Sequence, residues 1–399
     1  MMQEVHDGAQ YVNGLQVQEL PWEAAVVTIR RVAVIGAGWS GAAAARQLHD
    51  RGVEVEVFEA SGVVGGHSRA ERLHGVVYEP NGPHIFHTSE PRVADFVHRF
   101  GLTRRYAHRP MTQLRVDGRP RYFSWPLQLS ELETLPQWDR IRRELAERPA
   151  VPCMSDFESY CVSLMGETLY LLFVYHYTVK QWDVEPRTLS ASIAVRRIHL
   201  RTDGDRRQFR DRWEYFGVQG VNPVIEAVLD GIPVHLNTAI RLGDLTRGLF
   251  RSFDGVVCTA PLDGFVGDGP PLPWRGIRVR AHYYDTGAAH GTVTPSYMIN
   301  QPDPDVPFTR TVETKHATGQ AIPGTVVCEE YPGHPAKHYP VPTADKRHER
   351  RNRELKERIG LESPIPAVFC GRLANYQYIN QDEAILQGLL VADELLERR

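Results

Sequence analysis

The chain has 399 residues, of which 42% are hydrophobic and 24% charged, which is ordinary for a soluble globular enzyme of two or three packed modules. Its net charge of −3 argues against a nucleic-acid-binding surface, and no apolar run approaches the roughly 18 residues of a membrane span. The five cysteines form no CxxC pair and no zinc-ligand spacing, and the N-terminus lacks a basic region followed by an apolar one. We therefore expect reduced thiols, no nucleic-acid or membrane partner, and a cytoplasmic location.

The first predicted strand and helix flank a glycine motif. Residues 32–35 form a short apolar run typical of a buried parallel strand, and Gly36, Gly38 and Gly41 follow at GxGxxG spacing before a predicted helix over residues 42–48. We expect Gly36 to permit a tight turn, Gly38 to let a pyrophosphate approach the backbone, and Gly41 to let helix and strand pack closely. The motif predicts a dinucleotide whose pyrophosphate lies at the helix N-terminus.

The second predicted strand indicates which dinucleotide this is. The apolar run 55–58 ends in Glu59, about 20 residues after the glycines, where a carboxylate that binds a ribose belongs. A glycine pair, Gly65 and Gly66, follows closely. FAD enzymes of the glutathione-reductase class have such a pair because the backbone passes close to the cofactor, whereas a nicotinamide dehydrogenase does not need one. The pair therefore favours FAD over NAD.

The rest of the chain changes between helical and antiparallel segments. Residues 114–119 have a hairpin signal, residues 156–174 predict one long apolar helix, and residues 277–327 predict short antiparallel strands. A final strand at 367–372 and a closing helix at 382–396 return to the nucleotide fold. The sequence thus predicts an α/β protein divided into an N-terminal extension without assigned function (1–30), a Rossmann-like FAD-binding domain of the glutathione-reductase type (31–98, 217–265 and 341–399), a mainly helical insertion (99–200) and an antiparallel-sheet substrate domain (201–216 and 266–340).

A second sharp motif, Gly-Pro-His-Ile-Phe-His-Thr, covers residues 82–88. His84 and His87 are three residues apart, which raises the alternative of a metal site, but the sequence offers no obvious third ligand of matching type. We therefore predict no metal, and expect a turn that brings backbone and imidazole to the flavin ring.

Taken together, the motifs resemble those of the UDP-galactopyranose mutase family. The resemblance covers the chain from about Arg31 onward, and its motifs fall in the order of the family. They are the two glycine motifs, GPHIFHT at 82–88, YTVKQW at 177–182, the stretch from Ala191-Ser192-Ile193 to Arg201, FTR at 308–310, HYPV at 338–341 and GRLANYQY at 371–378.

The resemblance implies an unusual use of flavin without net redox change. In this family, N5 of reduced FAD attacks the anomeric carbon of a nucleotide sugar and expels the nucleoside diphosphate; the sugar ring then opens and recloses through a different hydroxyl. The chain is thus expected to be an isomerase that interconverts pyranose and furanose forms of a nucleotide sugar. From the same resemblance, we expect the chain to form a homodimer through the helical insertion.

The resemblance also implies roles for individual residues. Arg201 and Arg310 match the paired arginines of the family, whose forks suit phosphate oxygens. Arg372 matches an arginine that contacts the cofactor and would favour the anionic reduced ring. His84 and His87 match positions near the flavin, without either being assigned as a general base. Four aromatic residues match family positions that line the sugar pocket: Tyr177, Trp182, Tyr339 and Tyr378. Their residue types alone would instead place them in a hydrophobic core.

Departures from the family pattern lie around the substrate. The aromatic element expected after Arg201 is not evident, and Trp213 or Tyr215 is predicted to substitute for it. Arg206 is an alternative to Arg201 as phosphate ligand. Asn380 stands where the family has an aspartate, so a carboxylate charge is missing. These departures predict a nucleotide sugar other than UDP-galactose. Most arginine clusters, including the pairs at 196–197, 206–207 and 350–351, are interpreted as solvated helix faces.

Two other functions are compatible with the nucleotide motif. One is an FAD-dependent oxidoreductase of the amine oxidase or desaturase type, which would share the glycine motifs but would not need paired arginines at the flavin face. The other is an FAD-binding scaffold without activity that docks a partner. The retained Arg310, Tyr339, Arg372 and Tyr378 argue against a lost site.

Overall fold

The structure is a computed structural model that describes residues 11–12, 15–16, 29–195 and 197–397. Most of the predicted N-terminal extension lies outside the described residues. Its described part is a short antiparallel pair, Tyr11–Val12 with Leu15–Gln16. Among the described residues, no helix combines the length and the apolar character needed to cross a bilayer.

A five-stranded, fully parallel sheet forms the nucleotide fold. Its central strand is the predicted apolar run, and Val32, Ala33 and Val34 are completely buried between helices on both faces. In spatial order the strands are Val234–His235, Glu54–Phe58, Arg31–Ile35, Gly255–Cys258 and Ala367–Phe369. The predicted Rossmann-like fold is confirmed, including the return of the chain after residue 366.

Two helices on this sheet pack unusually closely because small residues face each other. The helix Trp39–Asp50 carries four consecutive alanines, 42–45, that are all buried. It lies against the closing helix Gln381–Glu397, where a Cβ added to Gly388 would lie 2.2 Å from the carbonyl oxygen of Ser40. This contact fixes the N-terminus of the closing helix beside the glycine motif.

A six-stranded sheet forms the second layer of the molecule. The predicted hairpin is confirmed: Asp117 and Gly118 both have positive φ, at 50° and 74°, as a two-residue hairpin turn of type I′ requires. This hairpin belongs to the predicted 99–200 insertion in sequence, but its first strand pairs in parallel with Met298–Asn300. The order is Trp274–Asp285, Gly324–Pro340, Arg310–Val312, Met298–Asn300, Met111–Val116 and Arg119–Ser124.

The helical segment is broken where one long helix was predicted over 156–174, and that prediction is wrong. The helix Phe157–Met165 ends at Gly166, whose φ of +84° lies outside the helical region. A Cβ at Gly166 would lie 2.7 Å from Glu144 Oε2, so glycine is required there. The chain continues as Glu167–Tyr170, a π-helical turn at Leu171–Tyr175, and the helix His176–Trp182.

Most of the remaining elements are short, and the longest of them is the 16-residue helix Arg347–Glu362. The paired strands are Glu71–Leu73 with Val76–Tyr78, Phe86–Thr88 with Trp213–Tyr215, and Leu127–Gln128 with Leu200–Arg201. The α-helices are Pro91–Arg99, Leu129–Leu132, Trp138–Glu147, Ser192–Val195, Asn222–Val228, Leu242–Leu245, Leu262–Val266, Lys315–Thr318, Arg347–Glu362 and Gly371–Ala374. The 3₁₀ turns are Gly66–Ser68, Pro186–Thr188 and Gly248–Ser252.

Candidate functional site: a basic and aromatic cavity beside a dinucleotide fold

The glycine motif has the geometry that its spacing predicts. Gly36 has φ of +103°, in the region that glycine alone enters readily, and a Cβ there would meet Thr259 Oγ1 at 2.1 Å. A Cβ at Gly41 would lie 2.0 Å from the carbonyl oxygen of Gly36, so helix and strand pack with no room for a side chain. Gly38 caps the helix and faces the backbone of Gly66, with 3.7 Å from its ideal Cβ position to the Gly66 Cα.

Glu59 lies at the end of its strand, as predicted, and connects the two glycine loops. Its Oε2 accepts a hydrogen bond from the backbone N–H of Ala37 at 2.7 Å, and its Oε1 accepts one from Ser61 at 2.8 Å. The backbone N–H of Gly65, whose φ is +110°, donates to the Ala37 carbonyl at 2.9 Å. A carboxylate in this place is positioned to receive the hydroxyls of a ribose.

Three aromatic rings and two arginines form a compact cluster between the two sheets. The ring centroids of Trp182, Tyr339 and Tyr378 are 5.5–6.4 Å apart. The Arg197 guanidinium carbon lies 4.1 Å from the centre of the Tyr378 ring, and that of Arg372 lies 5.4 Å from Tyr339 and 5.6 Å from Tyr378. Stacked cations of this kind are held in fixed orientations.

Arg310 forms the buried ion pair of the site. Its Nε donates to Glu330 Oε2 at 2.6 Å, and the Glu330 side chain is 0% exposed. The other carboxylate oxygen, Oε1, is buried without a hydrogen-bond partner, and it lies 3.4 Å from the position that a Cβ at Gly82 would occupy, as does the Tyr339 hydroxyl. Burial raises the pKa of Glu330, while the Arg310 charge opposes that rise. Burial likewise raises the pKa of Tyr339.

Two cavities adjoin this cluster. The smaller, of about 120 Å³, is lined mainly by apolar and aromatic side chains and includes Tyr177, Trp182, Arg310 and Tyr378. The larger, of about 800 Å³, is open to solvent and is bordered by the segment 199–211 and by residues 380–383. Arg197 and Gln208 line both cavities. The arrangement suits a ligand with a charged part in the larger space and a small part against the rings.

Arg201 lines the larger cavity, but its guanidinium is directed into its own loop. It donates to the backbone carbonyls of Asp205, Arg207 and Gln208, with distances of 3.2 Å and 3.1 Å to the first and last. Arg206, the alternative phosphate ligand, lies outside the lining of both cavities and pairs with Glu131 at 2.9 Å.

The His84 side chain, 10% exposed, lies next to a second carboxylate, Glu79, which the sequence did not reveal. The backbone N–H of His84 donates to Glu79 Oε1 at 3.1 Å, and Tyr297 donates its hydroxyl to Glu79 Oε2. Burial lowers the pKa of His84 to about 3 and raises that of Glu79 to about 8, so both are uncharged near neutral pH. The His84 Nδ1 is buried without a hydrogen-bond partner and lies 3.9 Å from Glu79 Oε1. Gln381 Nε2 donates to the His84 carbonyl at 2.7 Å and ties this turn to the closing helix.

His87 lies at the larger cavity and makes different contacts. Its Nδ1 lies 2.7 Å from Asp211 Oδ2, and Ser89 donates to the other oxygen of that carboxylate at 2.7 Å. The ring of Phe209 stacks on the imidazole with 3.5 Å between centroids. The segment 199–211 is therefore attached to the strand Phe86–Thr88 by a hydrogen bond and a ring stack.

Arg372 lies at the base of the cluster, among neutral imidazoles. It donates to the Ile379 carbonyl at 2.6 Å and to the His338 carbonyl at 3.4 Å. The rings of His338 and His67 stack at 4.7 Å, and burial lowers the pKa of His338 to about 4. Arg372 thus brings the positive charge to this part of the site.

Trp213 and Tyr215, predicted to contact the substrate, lie outside the lining of both cavities. Their strand pairs antiparallel with Phe86–Thr88, and this register places Tyr215, only 3% exposed, in the core against His98. The aromatic residue that does reach the larger cavity is Phe209.

The interpretation of the 196–197 arginine pair as a solvated helix face is wrong for Arg197. Its side chain is half-buried, stacks on Tyr378 and donates to Asn380 Oδ1 at 2.9 Å. Asn380, predicted as a substrate contact, lines the larger cavity. A signal for Arg197 was present in its position just after the Ala191-Ser192-Ile193 motif.

A parallel dinucleotide-binding sheet beside a mainly antiparallel sheet, with arginines and aromatic rings at their junction, defines a Rossmann-type cofactor enzyme. Residues 34–100 match the family model of NAD(P)-binding Rossmann-like domains. Residues 172–378 match the family model of UDP-galactopyranose mutases, and this matched segment is more than half of the chain. The chain belongs to the UDP-galactopyranose mutase family.

Similar proteins match over nearly the whole chain. A probable UDP-galactopyranose mutase of Klebsiella pneumoniae is 28% identical over 381 residues, which is 92% of this chain and 95% of that protein. A dTDP-fucopyranose mutase of Escherichia coli is 27% identical over 384 residues, covering 90% and 97%. In fold, the chain is similar to a crystal structure of reduced UDP-galactopyranose mutase, with a TM-score of 0.73, 17% identity, and coverage of 93% and 96%.

Proposed function

We propose that this protein is a flavin-dependent mutase that interconverts the pyranose and furanose forms of a nucleotide sugar. The observation that carries the proposal is the small cavity in which Arg310 lies with Tyr177, Trp182 and Tyr378. A cation beside aromatic rings that meet edge to face suits a sugar whose anomeric carbon bears a diphosphate. The family membership and the two mutases with similar sequences support the same activity.

The cofactor in this proposal is FAD, active in its reduced form. The residues present fit it: Gly38 and Gly66 leave a backbone-lined approach without side chains, and Glu59 faces the glycine loop. Buried polar atoms without partners, His84 Nδ1 and Asp382 Oδ1, lie where the second motif and the closing helix meet this domain. Bound and reduced, FAD supplies a nucleophilic nitrogen for the anomeric carbon.

The side chains of the cluster have separate roles in the proposed reaction. Arg372 stabilises negative charge on the reduced ring, because neighbouring His84 and His338 are neutral. Arg310 binds the diphosphate while it is detached from the sugar, and Glu330 sets the strength of that binding by neutralising part of its charge. The rings of Trp182 and Tyr339 exclude water from the opened sugar.

The sugar is proposed to differ from galactose. Asn380 offers an amide where the family has a carboxylate, and its Oδ1 is already used by Arg197. A dTDP-fucopyranose mutase among the similar proteins shows that the family includes nucleotides and sugars other than UDP and galactose. A deoxysugar would leave fewer hydroxyls to be satisfied by charged groups.

The decisive experiment is anaerobic. The purified protein is reduced with dithionite and incubated with a panel of nucleoside-diphosphate hexopyranoses and furanoses, and the products are separated by chromatography. An isomer of unchanged mass that forms only with reduced protein supports the proposal and identifies the sugar. Flavin reduction by an added substrate without any isomer would instead indicate an oxidoreductase, and inactivity on every nucleotide sugar would reject the mutase.

A further inference from the structure

Four arginines line the two cavities, and they differ in how far their charges are already used. Arg210 is paired with Asp203. Arg310 is paired with a fully buried carboxylate, Glu330, at 2.6 Å. Arg201 directs its guanidinium to three carbonyl oxygens of its own loop. Arg197 is held by Asn380, an acceptor without charge. Arg197 is therefore the one of these arginines whose described hydrogen bonds engage a single uncharged acceptor.

Arg197 also occupies the connecting position. It lines both the small aromatic cavity and the large open one, so a ligand that extends from one to the other passes its guanidinium. The Tyr378 ring at 4.1 Å and the Asn380 amide at 2.9 Å fix the planar group from two sides. A guanidinium fixed in this way is organised in advance for bidentate binding of phosphate oxygens.

Acidic residues on the large cavity do not cancel this charge, because each has other partners. Asp211 binds His87 and Ser89, Asp203 pairs with Arg210, and Glu383 accepts the backbone N–H of Asn380 at 3.0 Å. Asp382 is half-buried, and burial raises its pKa to about 6, so a bound anion nearby readily completes its protonation. The cavity is therefore able to accept an anion beside Arg197.

We infer that Arg197, positioned by Asn380 and Tyr378, binds the diphosphate together with Arg310 and contributes more to that binding than Arg201. The inference rests on the proposed function in taking a nucleoside diphosphate as the ligand. It also gives Asn380 a physical role: an aspartate there would form an ion pair with Arg197 and compete with the phosphates, whereas the amide orients the guanidinium and leaves its charge available.

Isothermal titration of the flavin-loaded protein with UDP, dTDP and inorganic pyrophosphate tests this inference. We expect Arg197→Met to raise the Kd of each probe at least tenfold, which corresponds to about 1.4 kcal/mol. Arg197→Lys, which retains the charge but loses the fork, should recover part of the affinity, and Arg201→Met should have the smaller effect. Arg187→Met is the matched control, because Arg187 pairs with Glu158 at 2.8 Å outside both cavities.

The inference is overturned if Arg197→Met, with an unchanged Tm, binds all three probes within twofold of the parent protein, or if Arg201→Met loses more affinity than Arg197→Met. If Arg197→Met does not fold, parental affinity in Arg197→Lys overturns it equally. The readout is binding and not turnover. If the parent protein converts a nucleotide sugar while Arg197→Met still binds all three probes, this inference is rejected and the proposed mutase function stands. If the variant loses binding while the parent protein converts no nucleotide sugar, this inference stands and the proposed mutase function is rejected.

Discussion

Substitution of Glu330 by glutamine should separate protein stability from ligand affinity. The Glu330 side chain is fully buried and its Oε2 lies 2.6 Å from Arg310 Nε. Loss of one partner from a buried ion pair costs about 3–5 kcal/mol. With an unfolding entropy of about 2.1 cal/mol/K per residue, this cost lowers the Tm of a 399-residue chain by about 4–6 °C.

The same substitution should strengthen the binding of a diphosphate. Like charges about 6 Å apart repel each other by about 3 kcal/mol at an effective dielectric constant of about 20, before screening by salt. Removal of the Glu330 charge therefore leaves room for a tenfold gain in affinity, which needs only about 1.4 kcal/mol. Differential scanning fluorimetry measures the loss of stability, and isothermal titration with UDP and dTDP measures the gain.

Glu313→Gln is the control for this pair of measurements. Glu313 is also fully buried, but its carboxylate accepts hydrogen bonds from Thr294 and Thr325 outside both cavities. It should lower the Tm without changing the affinity. If Glu330→Gln lowered the Tm and weakened UDP and dTDP binding, the reasoning would be refuted, because the carboxylate would then serve to position Arg310 and not to neutralise it.

Three further predictions concern the supports of the site. Lys180→Met removes the ammonium that donates to four carbonyls of loop 301–308, and should lower both Tm and diphosphate affinity; unchanged affinity would limit Lys180 to stability. Gly41→Ala should yield protein without flavin absorbance, since its Cβ would overlap the Gly36 carbonyl; full flavin content would contradict this. Burial raises the pKa of Glu79 from 4.5 to about 8, so its contribution to stability is complete below pH 4.5 and is lost as the pH rises toward 8. Glu79→Gln should therefore reduce the dependence of Tm on pH between 4.5 and 8. An unaltered dependence would exclude this role.

The nucleotide-binding half of the molecule was predictable because its signals are local. The roles of Gly36 and Gly41 and the position of Glu59 depend on spacing within about 25 residues, and the structure confirms each. The hairpin at 117–118 was predictable for the same reason, since a two-residue turn selects its residues directly.

The site was less predictable because its partners are distant in sequence. Arg197 binds Asn380 across 183 positions, and Glu79 accepts from Tyr297 across 218. No periodicity of single residues contains that information. Tyr215 was misplaced for a related reason: its strand has three residues, too few for alternation to show which face meets the core.

The order of strands in the two sheets has a consequence for synthesis on the ribosome. The parallel sheet receives its edge strand only at Ala367–Phe369, and the hairpin at 111–124 obtains its neighbour only at Met298–Asn300. The nascent chain must therefore carry its first half with unpaired sheet edges until residues 255–258, which pair with the strand Arg31–Ile35, and residues 298–300, which pair with the hairpin, emerge. Such an order favours protection by chaperones during translation, and makes the first half unsuitable for expression by itself.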